Sequence, residues 1–405
     1  MSRDAAGLAA VSLTWREAPS AVRGRLTAPL GVSDLERLGA QGLRGVVAIH
    51  TCARSLWIIS GEHAAWTGAL LQSLVARRIA DGALAGEARL LPILWTHDAA
   101  LRHVLSVVVG LDSLVEGEAD IGGQCLEAFQ HAHDAGHTDA LLHIVWQAMA
   151  RIQAAGREQS FIRPNRGMGA LAVDLLRRLG ADARRPVGVV GAGAIGGRVV
   201  AALDRAAWPR VIYNRSPGPG TLPLSAIAGH EALVVCTAGP ERWFKAPPEA
   251  RFVVDLGLPS QVAGANLGLD RLLVPGEASE AASVADLGLN LRLPSALRAR
   301  AELAVEREMS TVLTRVRAQQ WAHSLERLNQ ERDTFVRERL EAVMADAVAE
   351  LSPEQRRRVL QQSRQAIRQL TYSLIEALKD ELADPEAPAP GPPAPSPLSA
   401  ASVEP

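Results

Sequence analysis

The chain has 405 residues, 48% hydrophobic and 21% charged, so it is too long for one ordinary core but ordinary in composition for globular domains. A formal net charge of -1 excludes a globally basic nucleic-acid binder and leaves any such contact to local patches. Three cysteines at unrelated spacings make neither a disulfide framework nor a zinc site, no apolar run spans a bilayer, and the N-terminus lacks a signal-peptide pattern; a cytoplasmic protein without a resident metal is expected.

Residues 1–160 read as an α+β domain. Positions 46–49 and 56–59 are predicted strands on either side of the polar break His50-Thr51-Cys52-Ala53-Arg54. Positions 98–110 and 122–158 carry apolar residues three and four apart, which predicts helices, with polar punctuation from Gly110 to Asp120 between them. Turn residues at 163–167 close the region. A helix over 169–179 and a strand over 187–190 open a second domain, residues 161–290. Later strands at 210–213, 232–236 and 252–256 give the βαβ rhythm of a parallel sheet. From 294 to 349 the spacing predicts one long helix, and Ser352 with Pro353 predicts the cap and first position of a final helix reaching 382. Residues 291–382 thus form a third, helical region. The Pro/Ala/Ser-rich tail, 383–405, cannot bury a core and is expected to be disordered.

Gly191-Ala192-Gly193-Ala194-Ile195-Gly196 follows a predicted strand and starts a predicted helix, the context that makes this motif a dinucleotide turn. The first glycine permits the tight turn, the second lets the backbone approach the pyrophosphate, and the third lets helix and strand pack closely. The next strand ends at Asn214-Arg215-Ser216. An NAD site usually carries an acid there for the ribose 2′-hydroxyl; Arg215 and Ser216 suit a 2′-phosphate instead, so NADPH is favoured over NADH.

Cys52 stands at a strand end beside Thr51 and Arg54, where a nearby cation can favour the thiolate, a good nucleophile toward acyl carbonyls. An inert core cysteine is the competing reading, and Cys125, in a helical run, and Cys236, ending a strand, fit it.

The surroundings of Cys52 resemble a family. Thr51-Cys52-Ala53-Arg54 is similar to the Thr-Cys-Asn-Arg of glutamyl-tRNA reductases. His103, then Gly110-Leu111-Asp112-Ser113, Gly117-Glu118, Ile121 and Gln124, resemble that family's longest signature at the same spacing. Ala18-Pro19 followed by Arg23 resembles its N-terminal motif, and the glycine turn, Asn214-Arg215-Ser216, the stretch 255–259 and the long C-terminal helix fall in the family's order. The resemblance covers roughly residues 10–382. It implies a multidomain α/β protein: an N-terminal catalytic domain, a Rossmann NADPH domain, and a long helix ending in a helical dimerisation domain. It implies reduction of glutamyl-tRNA to glutamate-1-semialdehyde, an early step of tetrapyrrole synthesis, through a thioester on Cys52. Thr51, Ala53, Arg54, Ser113, Glu118, Ala119, Asp120 and Gln124 would then line the glutamate pocket, with Arg54 facing the side-chain carboxylate. His103 would either assist the ester chemistry or pack by a hydrogen bond; both readings stay open.

Three motifs depart from the family pattern. Ala53 stands for an asparagine, Glu118-Ala119-Asp120 for Glu-Pro-Gln, and Trp15-Arg16-Glu17 for His-x-Thr. The departures bear on substrate contacts more than on the chemistry. The long helix needs a partner surface for its apolar stripe, which suggests a homodimer. Arg177-Arg178, Arg184-Arg185 and Arg356-Arg357-Arg358 are candidates for tRNA phosphates, each competing with a plain solvated face. The aminomutase that uses the aldehyde is a partner by family analogy only. A tRNA-independent NADPH dehydrogenase of a small acid, resembling shikimate dehydrogenase at Asn214-Arg215-Ser216, and a non-catalytic nucleotide-binding regulator remain the alternatives.

Overall fold

The computed structural model describes residues 7–14, 16–18, 22–23, 26, 32–51, 53–81, 90–163, 166–237, 243–257, 261–262, 267–268 and 291–383. Cys52, Trp15, Pro19, positions 258–260 and the tail from 384 lie outside the described residues. The chain forms two compact units, Met1–Val316 and Arg317–Pro405.

The first unit begins with β1 (Leu8–Thr14), α1 (Val32–Gly39), β2 (Leu43–His50), β3 (Arg54–Gly61), α2 (Ala64–Asp81), β4 (Ile93–Thr96), α3 (His97–Val108), α4 (Asp120–Asp134) and α5 (Ala140–Glu158). The strands lie in the order β2-β3-β1-β4, every neighbouring pair antiparallel. β1 is buried along its whole length, and its side chains alternate between two cores. Leu8 and Ala10 pack with α3, α4 and α5, whereas Ala9, Val11 and Leu13 pack with Leu71 and Val75 of α2. Burial on both faces erases the polar alternation by which a strand is read from sequence, so β1 carries no period-2 signal. The run 122–158, predicted as helical throughout, is broken. His137 donates its amide to the Ala132 carbonyl at 2.8 Å, and the Asp139 side chain caps a fresh helix by accepting from the Leu142 amide at 2.9 Å.

α6 (Met168–Arg178), β5 (Val187–Val190), α7 (Ala194–Arg205), β6 (Arg210–Asn214), β7 (Leu222–Pro223), β8 (Ala232–Val235), β9 (Phe252–Asp255) and β10 (Leu267–Gly268) follow. Their sheet is parallel throughout, in the order β10-β9-β8-β5-β6-β7. This is the doubly wound order, with the chain reversing direction across the sheet at β5, where ligands enter such folds. Mixed α/β architecture with a parallel sheet is therefore present as the sequence predicted.

α8 (Ser295–Thr334) runs through a π-helical turn, Phe335–Arg339, into α9 (Leu340–Val343). Helix thus ends at Val343, short of the predicted 349, and turns follow. Ala301, Val305, Met309, Val312 and Val316 of α8 are buried in the same apolar cluster as Leu8, Ile58, Val104 and Phe161. In the second unit Ser352 and Gln355 cap α10 (Pro353–Ala383) reciprocally, at 3.3 Å to the Ser352 hydroxyl and 3.0 Å back to the Gln355 amide oxygen. Among the described residues no helix is long and apolar enough to cross a membrane.

Candidate functional site

β2 and β3 are joined by a short loop that carries the Cys52 position. The Thr51 amide donates to the Arg54 carbonyl at 2.9 Å, and the Ala53 amide donates to the Thr51 hydroxyl at 3.2 Å. Register pairing of His50 with Ser55 puts this loop at the end of the sheet. Cys52 itself lies outside the described residues.

Arg54 is only 1% exposed, and a buried guanidinium must find an anion. It donates through Nη1 to Asp112 Oδ2 at 3.0 Å and through Nη2 to the Asp112 carbonyl, while Arg16 pairs with the other carboxylate oxygen. Burial alone would raise Asp112; the Arg54 and Arg16 guanidiniums outweigh it and hold the carboxyl below its ordinary range. Arg54 therefore meets a carboxylate of its own chain, and the three groups together keep one net positive charge.

His103 of α3 stacks on Trp95, ring centroids 4.8 Å apart and planes 12° from parallel. Burial, reinforced by the Arg54 and Arg16 charges and opposed by Asp112, lowers its pKa to about 4, so the imidazole is neutral at pH 7. Its Nε2 and the Trp95 Nε1 meet no hydrogen-bond partner among the described residues. Both side chains face a cleft of about 820 Å³ bounded by Thr14, Arg16, Asp112 and, from α8, Arg298.

The loop between α3 and α4 brings Ser113, Glu118 and Asp120 together. Glu118 is half-buried, and burial of its carboxyl lifts the pKa to about 7; Asp120 adds to the rise, while Ser113, Arg54 and Arg198 oppose it. The Ser113 hydroxyl faces this carboxyl without forming a well-made hydrogen bond. Asp120, raised by burial, pairs with Arg198 Nε of α7 at 3.2 Å. Ala119 occupies the N-cap of α4, and Gln124 lies half-buried one turn on. Cys125 is fully buried, its thiol pushed up to about 12, and burial also raises Cys236. Neither cysteine is poised as a thiolate.

At the glycine turn, Gly191 takes φ +107°, and a Cβ there would stand 3.0 Å from the Cys236 carbonyl oxygen. A Cβ on Gly196 would fall 1.9 Å from the Gly191 carbonyl oxygen, so strand and helix touch here as backbone. Gly193 faces open space and caps α7, leaving Ala192, Gly193 and Ala194 exposed around the free helix N-terminus. Close packing behind, an open cradle in front and a positive helix end fit a dinucleotide pyrophosphate. Ile195 turns inward against the domain core. At the end of β6, Asn214 Nδ2 donates to the Ser216 carbonyl at 3.1 Å, and exposed Arg215 lies 5.5 Å above the Trp243 ring.

Several groups escaped sequence reasoning. Glu116 is fully buried, accepts from the Leu293 amide at 2.9 Å and pairs with Arg292 at 2.6 Å and Arg298 at 2.5 Å. Its partners lie more than 170 residues away, so nothing local marks it. Arg198 and Trp243 likewise gain meaning only through tertiary neighbours. The arginine pairs are partly engaged: Arg184 by Asp182 at 3.2 Å, Arg185 by Glu231 at 3.7 Å, Arg177 by Asp174 at 3.5 Å, and Arg356 by the Val348 carbonyl at 3.2 Å.

Residues 11–159 match the family model described as glutamyl-tRNAGlu reductase, N-terminal domain. The chain is 34% identical over 259 residues to the glutamyl-tRNA reductase of Salinispora tropica, covering 58% of this chain and 56% of that protein. It is 29% identical over 322 residues to glutamyl-tRNA reductase 2 of Pyrobaculum arsenaticum, covering 75% of each. Among solved structures, the glutamyl-tRNA reductase from Methanopyrus kandleri is 20% identical with a TM-score of 0.44, covering 93% of this chain and 99% of that one. The matched stretch thus spans a little over half the length of the Salinispora relative. The match to the N-terminal domain model encloses both the Thr51-to-Arg54 loop and the Ser113-to-Gln124 segment, so the stretch in which the chain is similar to glutamyl-tRNA reductases includes these candidate site residues.

Proposed function

We propose that this chain reduces glutamyl-tRNA to glutamate-1-semialdehyde with NADPH, at the entry to tetrapyrrole synthesis. One observation carries the reading: a single compact unit joins the matched N-terminal domain to an open dinucleotide turn. Cys52 is assigned as the nucleophile. Its sulfur bonds to the α-carbonyl of the aminoacyl ester, the ester C–O bond breaks, and the terminal ribose hydroxyl of the tRNA leaves with a proton. The resulting thioester carbonyl is a far better hydride acceptor than a carboxylate. NADPH, when bound, supplies the hydride; the C–S bond then breaks, returning the thiolate and releasing the aldehyde.

The remaining roles belong to the same proposal. The positive Arg16–Arg54–Asp112 group favours the substrate's side-chain carboxylate. Thr51, Ala53, Ser113, Glu118, Ala119, Asp120 and Gln124 are assigned to the pocket wall. His103, neutral, can accept a proton at Nε2 or hold the ester by a hydrogen bond. Gly191, Ala192, Gly193, Ala194, Ile195 and Gly196 hold the pyrophosphate. Arg215, Ser216 and Asn214 take the 2′-phosphate end, with the Trp243 ring fixing the Arg215 plane. Residues 1–160, 161–290 and 291–382 are assigned as catalytic, dinucleotide and helical dimerisation regions. A second copy would cover the apolar side chains that α10 exposes, Leu370 and Tyr372 at 65% and Leu374 at 55%. The aldehyde-consuming aminomutase is the natural partner for the product.

The test is mass measurement of the protein after mixing with glutamyl-tRNA in the absence of NADPH, then with NADPH added. A glutamyl adduct should map to Cys52, vanish in Cys52→Ser with NADPH affinity retained, and turn over on adding NADPH. An adduct on Cys125 or Cys236, or NADPH oxidation by Cys52→Ser, would overturn the assignment.

A further inference from the structure

The contact between Asp120 and Arg198 joins two parts of the chain with different tasks. Asp120 is the first residue of α4, two positions after Glu118. Arg198 lies on α7, the helix that starts at the dinucleotide turn. The pair closes at 3.2 Å with both side chains 31% exposed. The backbone beneath it is tightly fixed. A Cβ on Gly169 would stand 2.4 Å from the Arg198 carbonyl oxygen, and one on Gly167 would stand 3.1 Å from Asp120 Oδ2 and 3.8 Å from Glu118 Oε2. α6 and α7 thus have no slack at this point. The Glu118 backbone also bridges to Arg163, on the other side of the loop. The amide that the resembled family carries at position 120 could not make an ion pair; the aspartate does.

We propose that Arg198 is a positioning residue for the acyl pocket: from the dinucleotide helix it holds the Asp120 carboxylate and sets the charge that Glu118 experiences. The proposal rests on the reading of Glu118 and Asp120 as pocket walls. Among the described residues, the groups facing Glu118 are Asp120 at the start of α4, Arg54 from β3, Arg198 from α7, the Ser113 hydroxyl and the neutral Cys125 thiol, and Arg198 faces Asp120. Burial brings Glu118 to about 7, so small changes in these neighbours switch it between hydrogen-bond donor and anion near neutral pH. Arg198 lowers both carboxyls and Asp120 raises Glu118, so the two side chains act on Glu118 in opposite senses.

That opposition is the test. Rates of adduct formation on Cys52 with glutamyl-tRNA and no NADPH are followed in the full chain across pH 5.5–8.5, with Cys52 alkylation by iodoacetamide giving the thiol's own titration for subtraction. Arg198→Gln should move the Glu118 midpoint up by about half a pH unit or more, and Asp120→Asn should move it down by a similar amount. The double variant should fall back toward wild type, and Arg198→Lys should keep the wild-type midpoint. Shifts of the same sign, or no shift, would overturn the proposal, because damage to the fold lowers rates without moving midpoints in opposite directions. A second readout needs no substrate. A carboxyl raised in the folded state contributes stability that is lost as pH rises from its ordinary value near 4.5 through about 7. Comparing Glu118→Gln with its parent by urea unfolding therefore reports the same midpoint in each background. If wild type forms no adduct but the unfolding midpoints move as stated, the proposed reaction fails and the Arg198 role stands; fixed unfolding midpoints sink the role whatever the adduct does.

Discussion

Acidification should unmask His103. Its pKa falls from an ordinary 6.5 to about 4 because the ring is buried against Trp95 and faced by Arg54 and Arg16. The unfolded chain takes up a proton near pH 6.5 that the folded chain refuses until about 4. Stability is therefore fully present above 6.5 and is lost as pH falls through this window. At about 1.36 kcal/mol per tenfold change in proton affinity, the loss approaches about 3 kcal/mol at the bottom of the window, against a typical total of 5–15 kcal/mol. The assay is urea unfolding from pH 7.5 to 4 on wild type and His103→Gln, taking the difference so that carboxyl titrations cancel. The gap between the two should close by about 3 kcal/mol as pH falls. A gap that stays constant would refute the reasoning, because it would mean that His103 is protonated as readily in the folded site as in water.

Glu116→Gln should cost about 2 kcal/mol in urea unfolding, below the usual range for a broken buried pair because Arg292 and Arg298 still reach water; an unchanged midpoint would show the carboxylate to be dispensable. Gly196→Ala should weaken NADPH binding by about tenfold or more in a fluorescence titration, since its methyl collides with the Gly191 carbonyl and pushes helix from strand. Arg215→Gln should raise the NADPH Kd about tenfold while leaving NADH within about twofold, and equal losses for both would remove Arg215 from 2′-phosphate recognition.

What the sequence made legible was local. The strand, glycine turn and helix at 187–205 lie within one stretch, and each glycine has a reason readable from its neighbours. The Cys52 loop and the Ser113-to-Gln124 signature were legible as motifs, but not their electrostatics. That Arg54 is claimed by Asp112, and that Glu118 sits near neutrality, depend on burial and on charges from β3 and α7. β1 escaped notice because covered faces leave no alternation, and the α4–α5 break because an aspartate cap is a weak signal inside a long helical period. Glu116 shows the limit most plainly: an acid with no local motif becomes a buried anchor only when residues 292–298 arrive.

That late arrival has a consequence for biosynthesis. The apolar cluster containing Leu8, Ile58 and Phe161 is completed by Ala301 to Val316 of α8. As the chain emerges from a ribosome, the first 160 residues therefore wait, one face uncovered, while the whole parallel-sheet layer is made. Seen by order of folding, the parallel-sheet layer is a guest inserted within an unfinished host. A nascent chain released at residue 290 would hold a complete sheet beside an incomplete core, a species open to chaperones and proteases until the last 26 residues of Met1–Val316 have been added.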